Sequence, residues 1–187
     1  MDILFLLPRF FPYRGGYENS MLGLSRYLVS HGHRVTVFTT VADDLEALWL
    51  PCFRTFPPGQ DSVQGITVRR FPISYNRWSR RASRLLGLLP SWRLRSRFWR
   101  PGFAVLGLAE ALRSATPDLI HIGPLPYNSL MYAGLRAAAG KRIPVVSTPC
   151  THFGEERTTK IAQQYVQPQP IAHLKHCYQV ICLTQYE

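Results

Sequence analysis

The sequence predicts an α/β sandwich, with an open, mainly parallel sheet covered by helices on both faces. Three observations carry this. The chain opens with a complete β-α-β pattern, its apolar strands hold few charges, and each strand is separated from the next by a helical stretch or a Gly/Pro-marked turn. A chain of 187 residues has room for one substantial core and little for a second full domain.

Residues 3–7 form the first apolar strand, ended by Pro8. After the turn-rich PRFFPYRGG, Met21, Leu24, Leu28 and Val29 recur at helical spacing from about Tyr17 onward. Gly32 stops that helix, and the alternating, branched run 34–39 is the second strand, parallel to the first. A loop region with Pro51, Pro57, Pro58 and Gly59 precedes a third strand at 66–71. A helix from about 103 to 114 leads to a strand at 119–122, with Asp118 just before it. The next helix spans roughly 129–139 and ends at Gly140, followed by a strand at 144–148. Residues 158–176 read as a helix interrupted by Pro168 and Pro170, and 179–183 as a last short strand.

No apolar run approaches the length of a bilayer span. The opening MDILFLLPRFFPYRGG has neither a basic leader nor a small-residue cleavage site, and it reads as strand and loop, which points to a cytoplasmic protein. Four cysteines, at 52, 150, 177 and 182, lack the spacing of a zinc or disulfide framework and read as buried reduced thiols. His173 and His176 lie three apart on a helix with no obvious third ligand, so no metal is expected.

In an open parallel sheet, ligands gather at the carboxyl ends of the strands. That selects three loops. The first holds Arg14, Gly15 and Gly16, followed by Glu18; paired glycines before a helix let backbone N–H groups meet phosphate oxygens, although a plain turn has the same composition. It is neither a dinucleotide fingerprint nor a Walker A loop. The second holds Gly123, Pro124, Tyr127 and Asn128. The third runs from Cys150 through His152 to Glu155 and Glu156. His152 is the candidate proton-handling group, with Glu155 placed to orient it or to bind a hydroxyl; a loop histidine tied to its own backbone is the alternative. His121 lies within a strand, for packing or for a ligand contact.

Charge is lopsided. Lys+Arg is 22 against Asp+Glu 11, and from Ser62 to Ala109 there is no acid but ten arginines: Arg69, Arg70, Arg77, Arg80, Arg81, Arg84, Arg93, Arg95, Arg97 and Arg100. RRASRLLGLLPSWRLRSRFWR interleaves these with Trp92, Trp99 and several leucines, a composition that suits an anionic membrane surface. The alternative is that the apolar residues cover the sheet while the arginines face water. No recognition-module pattern accompanies the charge, so no nucleic acid is expected as partner.

In order along the chain, these pieces resemble the retaining GT-B glycosyltransferases of family 4 (group 1). The glycine loop and first helix are followed by an L-x-x-x-G-H-x-V-x-V passage from Leu28 to Val37, then PDLIHIGP at 117–124, IPVVSTPCTH at 143–152 and VICLTQYE at 180–187. The resemblance implies that residues 1–187 are the N-terminal, Rossmann-like, acceptor-side domain of a two-domain enzyme, and that the C-terminal donor-binding domain is the missing partner on the same polypeptide. It implies transfer of a sugar from a UDP- or GDP-sugar, without a bound cofactor or metal, to a carbohydrate or membrane lipid-linked acceptor, with this piece inactive alone. Gly15 and Gly16 would approach the donor diphosphate. His152 would contact acceptor or sugar, and Arg14, Glu18, His121, Tyr127, Asn128 and Glu155 would flank the acceptor, Glu18 also supporting the glycine loop. Arg80, Arg81, Arg84, Trp92, Arg93, Arg95, Arg97 and Trp99 would hold the protein peripherally on the cytoplasmic membrane face. Where many relatives carry a second histidine, this chain has Gly123, and their closing serine is Thr184 here. The alternative reading is a non-catalytic phosphate- or nucleotide-binding module acting with a partner.

Overall fold

A computed structural model describes residues 1–75, 103–125, 127–151 and 168–183, with backbone alone at 128 and 168–170. Its centre is β1 (Asp2–Leu6), flanked by β2 (Arg34–Thr40) and β7 (Leu119–Ile122), both parallel to it. Beyond β2 lie β4 (Ile66–Phe71) and then β3 (Gly59–Val63); beyond β7 lie β8 (Val145–Ser147) and β9 (Gln179–Val180). The order β3-β4-β2-β1-β7-β8-β9 is parallel except for β3. The mainly parallel α/β sheet read from the sequence is therefore the observed fold.

β1 serves both layers by simple alternation. Ile3, Phe5 and Leu7 join Val35, Val37, Ile66 and Val68 in one apolar cluster, which also takes in Met21 of α1 (Gly16–Ser30). Leu4 and Leu6 point the other way. They pack with Ile120, Ile122, Leu112 of α2 (Leu108–Ser114) and Leu130 and Met131 of α3 (Asn128–Lys141). Such double burial is why these strands read as almost unbroken apolar runs. A third, smaller cluster gathers Val41, Ala47, Leu48, Ile73 and Phe103 beneath the connection after β2.

The outer strand β3 was not foreseen. Its residues, GQDSV, are mostly exposed and show no apolar alternation. The hairpin is instead made by its turn: Gln64 and Gly65 both have positive φ, 53° and 81°, as a two-residue connection with strand-matching twist requires. The hairpin also gives Arg70 a use. Arg70 is 7% exposed, pairs with Asp61 of β3, and donates to the Phe11 carbonyl oxygen at 2.8 Å. Arg69 stacks over Phe71 with its guanidinium carbon 4.9 Å from the ring centroid. Two of the ten arginines in the acid-free stretch thus have structural roles, and the other eight lie outside the described residues.

Several boundaries move. The helix expected from about 103 begins at Leu108, because Ala104–Val105 (β6) pairs antiparallel with Ile73–Ser74 (β5) and Gly107, at φ 77°, turns the chain into the helix. α3 runs through Gly140, its predicted stop, to Lys141 and closes with Arg142 at φ 56°. Lys141 Nζ donates to the carbonyl oxygens of Leu112, Arg113 and Ala115, satisfying the last turn of α2. Pro168 and Pro170 stand in the first turn of α4 (Pro168–Leu174), where proline is tolerated, while 158–167 lie outside the described residues. Contrary to expectation the cysteines are not buried: Cys52 and Cys182 are exposed, Cys150 and Cys177 half-buried. Among the described residues no helix is long and apolar enough to cross a membrane.

α3 lies close against the sheet at one point. A Cβ on Gly134 would fall 2.5 Å from Leu6 Cδ1 and 2.6 Å from Ile122 Cδ1, whereas one on Gly140 would meet nothing within 4 Å. Gly134→Ala should therefore cost about 1–3 kcal/mol by overpacking, and Gly140→Ala should gain roughly 0.5–1 kcal/mol from helix propensity. Urea unfolding of the two variants checks the opposite signs.

Candidate functional site at the carboxyl edge of the sheet

Chain order reverses between β1 and β7, because β1 proceeds outward to β2 and β4 while β7 proceeds the other way to β8 and β9. The carboxyl ends of β1 and β7 consequently bound the crevice where ligands of doubly wound sheets lie. The loops after β1, β7 and β8 meet there.

The first loop is tied down before it reaches the glycines. Thr40 Oγ1 donates to the Pro8 carbonyl oxygen at 2.6 Å, and Phe10 is 2% exposed. Gly15 then caps α1 in extended conformation (φ −99°, ψ 167°), and the Asn19 N–H closes the first helical turn onto the Gly15 carbonyl oxygen at 2.9 Å. Arg14 and Gly16 are exposed and Gly15 is half-buried, so the turn lies at the surface. A Cβ on Gly16 would meet nothing within 4 Å. Gly15 differs: its Cβ would stand 2.1 Å from Glu18 Oε2 and 2.9 Å from Tyr13 Cε1. Glycine is needed there for close approach. Glu18, placed by sequence among the acceptor contacts, is 5% exposed and directs Oε1 to Arg9 Nη2 at 2.9 Å.

The second and third loops are locked together. The Thr148 N–H donates to the Ile122 carbonyl oxygen at 3.1 Å, and the Leu125 N–H to that of Pro149 at 2.8 Å. Tyr17, in the first turn of α1, donates its hydroxyl to the Thr148 carbonyl oxygen at 3.4 Å. Gly123 lies beneath this contact. A Cβ there would be 2.3 Å from both the Thr148 carbonyl oxygen and the Tyr17 Oη, so no other residue fits without moving a loop. The space a side chain on residue 123 would take is filled by Tyr17.

His121 is 3% exposed, its Nε2 is 2.8 Å from Thr148 Oγ1, and its ring centroid is 4.8 Å from that of Phe5. Burial pushes its pKa down to about 4, which keeps the imidazole neutral. It supports the Thr148 loop from below. Tyr127 is half-buried against the third apolar cluster, and Asn128 opens α3. His152 and Glu155 lie outside the described residues, as do Arg80, Arg81, Arg84, Trp92, Arg93, Arg95, Arg97 and Trp99. Arg9, Tyr17 and Thr148 went unnoticed in the sequence. Tyr17 directly follows the glycine pair, and Thr148 lies inside the quoted IPVVSTPCTH, but nothing local marks the contact across 131 residues that joins them.

An open sheet whose loops converge at its switch point defines a ligand-binding α/β domain of the Rossmann-like class. The profile of the glycosyl transferase 4-like domain matches residues 15–187, and the chain belongs to that family. It is a glycosyltransferase-type module. A search of curated proteins gives no significant match.

The neutral His121 has a measurable consequence. In the unfolded chain the ring protonates near 6.5, in the fold only near 4, so the unfolded state takes up the proton first. The corresponding stability is complete above pH 6.5 and is lost as the pH falls toward 4, by about 3 kcal/mol at most. His121→Gln should flatten this part of the profile, read from melting temperatures of both proteins across that window.

Proposed function

We propose that the chain is the acceptor-side domain of a retaining glycosyltransferase, working with a second domain that holds most of a UDP- or GDP-sugar. The observation that carries this is the surface-exposed start of α1, Gly15–Gly16, beside the switch point of the sheet. Amides in the first turn of a helix favour anionic oxygens, and the diphosphate of a nucleotide sugar supplies them.

In this reading the protein contributes placement and charge stabilisation. The Tyr17–Thr148 contact fixes the distance between the glycine turn and the acceptor-side loops. The acceptor hydroxyl attacks on the face from which the nucleotide leaves, and a phosphate oxygen of the departing group takes its proton. His152 contacts the acceptor or the transferred sugar. The acceptor is a carbohydrate or a lipid-linked sugar, reached from the cytoplasmic membrane face.

A panel of UDP- and GDP-sugars, assayed for nucleoside diphosphate release by the full-length protein, tests the reaction. One donor should turn over, and Gly16→Asp should slow it roughly 100-fold by setting a carboxylate against the phosphate. His152→Ala should lower acceptor-dependent turnover by about 100-fold or more. Donor binding without turnover by any acceptor would favour the non-catalytic phosphate-binding reading; neither binding nor turnover would end both.

Membrane contact is tested separately. Sedimentation with anionic liposomes should capture the protein, and both raised salt and replacement of Arg80, Arg81, Arg84, Arg93, Arg95 and Arg97 by glutamine should release it. Equal capture by neutral vesicles would refute the electrostatic account.

A further inference from the structure

Arg9 is the least conventionally partnered charge at the crevice. Its side chain is 11% exposed, its Nη2 meets Glu18 Oε1 at 2.9 Å, and its guanidinium carbon stands 3.9 Å over the centre of the Tyr13 ring. Nε and Nη1 are buried and have no hydrogen-bond partner among the described residues. A buried arginine ordinarily satisfies its donors. Among the described residues one carboxylate oxygen is the only acceptor it meets, so the guanidinium is committed to Glu18.

Glu18 is placed just as unusually. It is the third residue of α1, a position from which a carboxylate reaches back over the free N–H groups of the helix start and acts as their anion. Its Oε2 does rest against Gly15, within 2.1 Å of where a Cβ would be. A 5%-exposed carboxylate in that place is poorly screened by water and would oppose any phosphate arriving at the same turn.

We propose that Arg9 is a positioning residue that cancels the Glu18 charge beneath the Gly15–Gly16 turn and so leaves the start of α1 net attractive to a phosphate-bearing ligand. This rests on the reading of that turn as a diphosphate contact. Arg9 touches no ligand and acts through Glu18. Tyr13 lies under the guanidinium and holds it against the loop, and with the pair neutral the free N–H groups of the helix start set the sign of the local field.

The test is a sign inversion that loss of structure does not produce. Binding of inorganic pyrophosphate to the full-length protein is measured by calorimetry at low ionic strength, with a melting curve for each variant. Arg9→Met leaves a lone buried carboxylate and should weaken pyrophosphate binding about tenfold or more. Glu18→Gln keeps the shape, frees the arginine charge, and should tighten binding about threefold or more, even if the melting temperature falls. The double variant Arg9→Met/Glu18→Gln should return to within about threefold of wild type, since the two changes act on one pair. If Arg9→Met fails to fold, Glu18→Gln and the double variant still decide the matter.

Weakening in both single variants would assign the pair a purely structural role and overturn the inference, while the diphosphate reading survived. Gly16→Glu separates the two questions. If wild type binds no pyrophosphate, or binds it equally well with Gly16→Glu, the turn is not the site, and the diphosphate reading and the inference fall together.

Discussion

No side chain can be placed at residue 123, and the arrangement of the crevice follows from that exclusion. The Thr148 carbonyl oxygen and the Tyr17 hydroxyl both stand where a Cβ would go. Thr148 therefore makes three contacts at once: its N–H to β7, its side-chain hydroxyl to His121, and its carbonyl to α1. Each contact is modest, because a single intramolecular hydrogen bond contributes about 1 kcal/mol net. Together they set the spacing of the loops after β1, β7 and β8 before any ligand arrives.

Charge is distributed by the same economy of contacts. Arg70 and Arg9, which composition alone counts as sources of an external field, are used inside the molecule, on Asp61 and a carbonyl and on Glu18, whereas Arg69 is exposed and lies over Phe71. The net charge of +11 therefore overstates what this body presents to solvent near β4 and the glycine turn. Burial strengthens such pairs locally, because water screens them least, so Arg9 and Glu18 act mainly on each other.

The inner parallel strands were legible because burial on both faces leaves a plain mark, an apolar run bounded by turns, whereas the edge strand read at 179–183 is only Gln179–Val180. β4 and β7 coincide with the stretches read from sequence, and β1 and β2 differ by one residue at their ends. β3 left no such mark, since its side chains face water and its existence depends on a Gln64–Gly65 turn. The glycine loop was legible for its position between strand and helix. Its partner Arg9 was not, because a single arginine in a loop looks the same whether it faces solvent or pairs beneath the turn. His121 was seen but not its state: only the contacts with Phe5 and Thr148 reveal a neutral, supporting ring.

The alternation of β1 between two cores has an evolutionary corollary. Losing or gaining one residue inside Asp2–Leu6 would turn every side chain of the strand over, sending Phe5 toward α3 and Leu6 toward α1 in a single step. Length variation among descendants of this sequence should therefore be purged from this central strand and accumulate in the peripheral hairpin and the connections, where no two-sided burial depends on the count of residues.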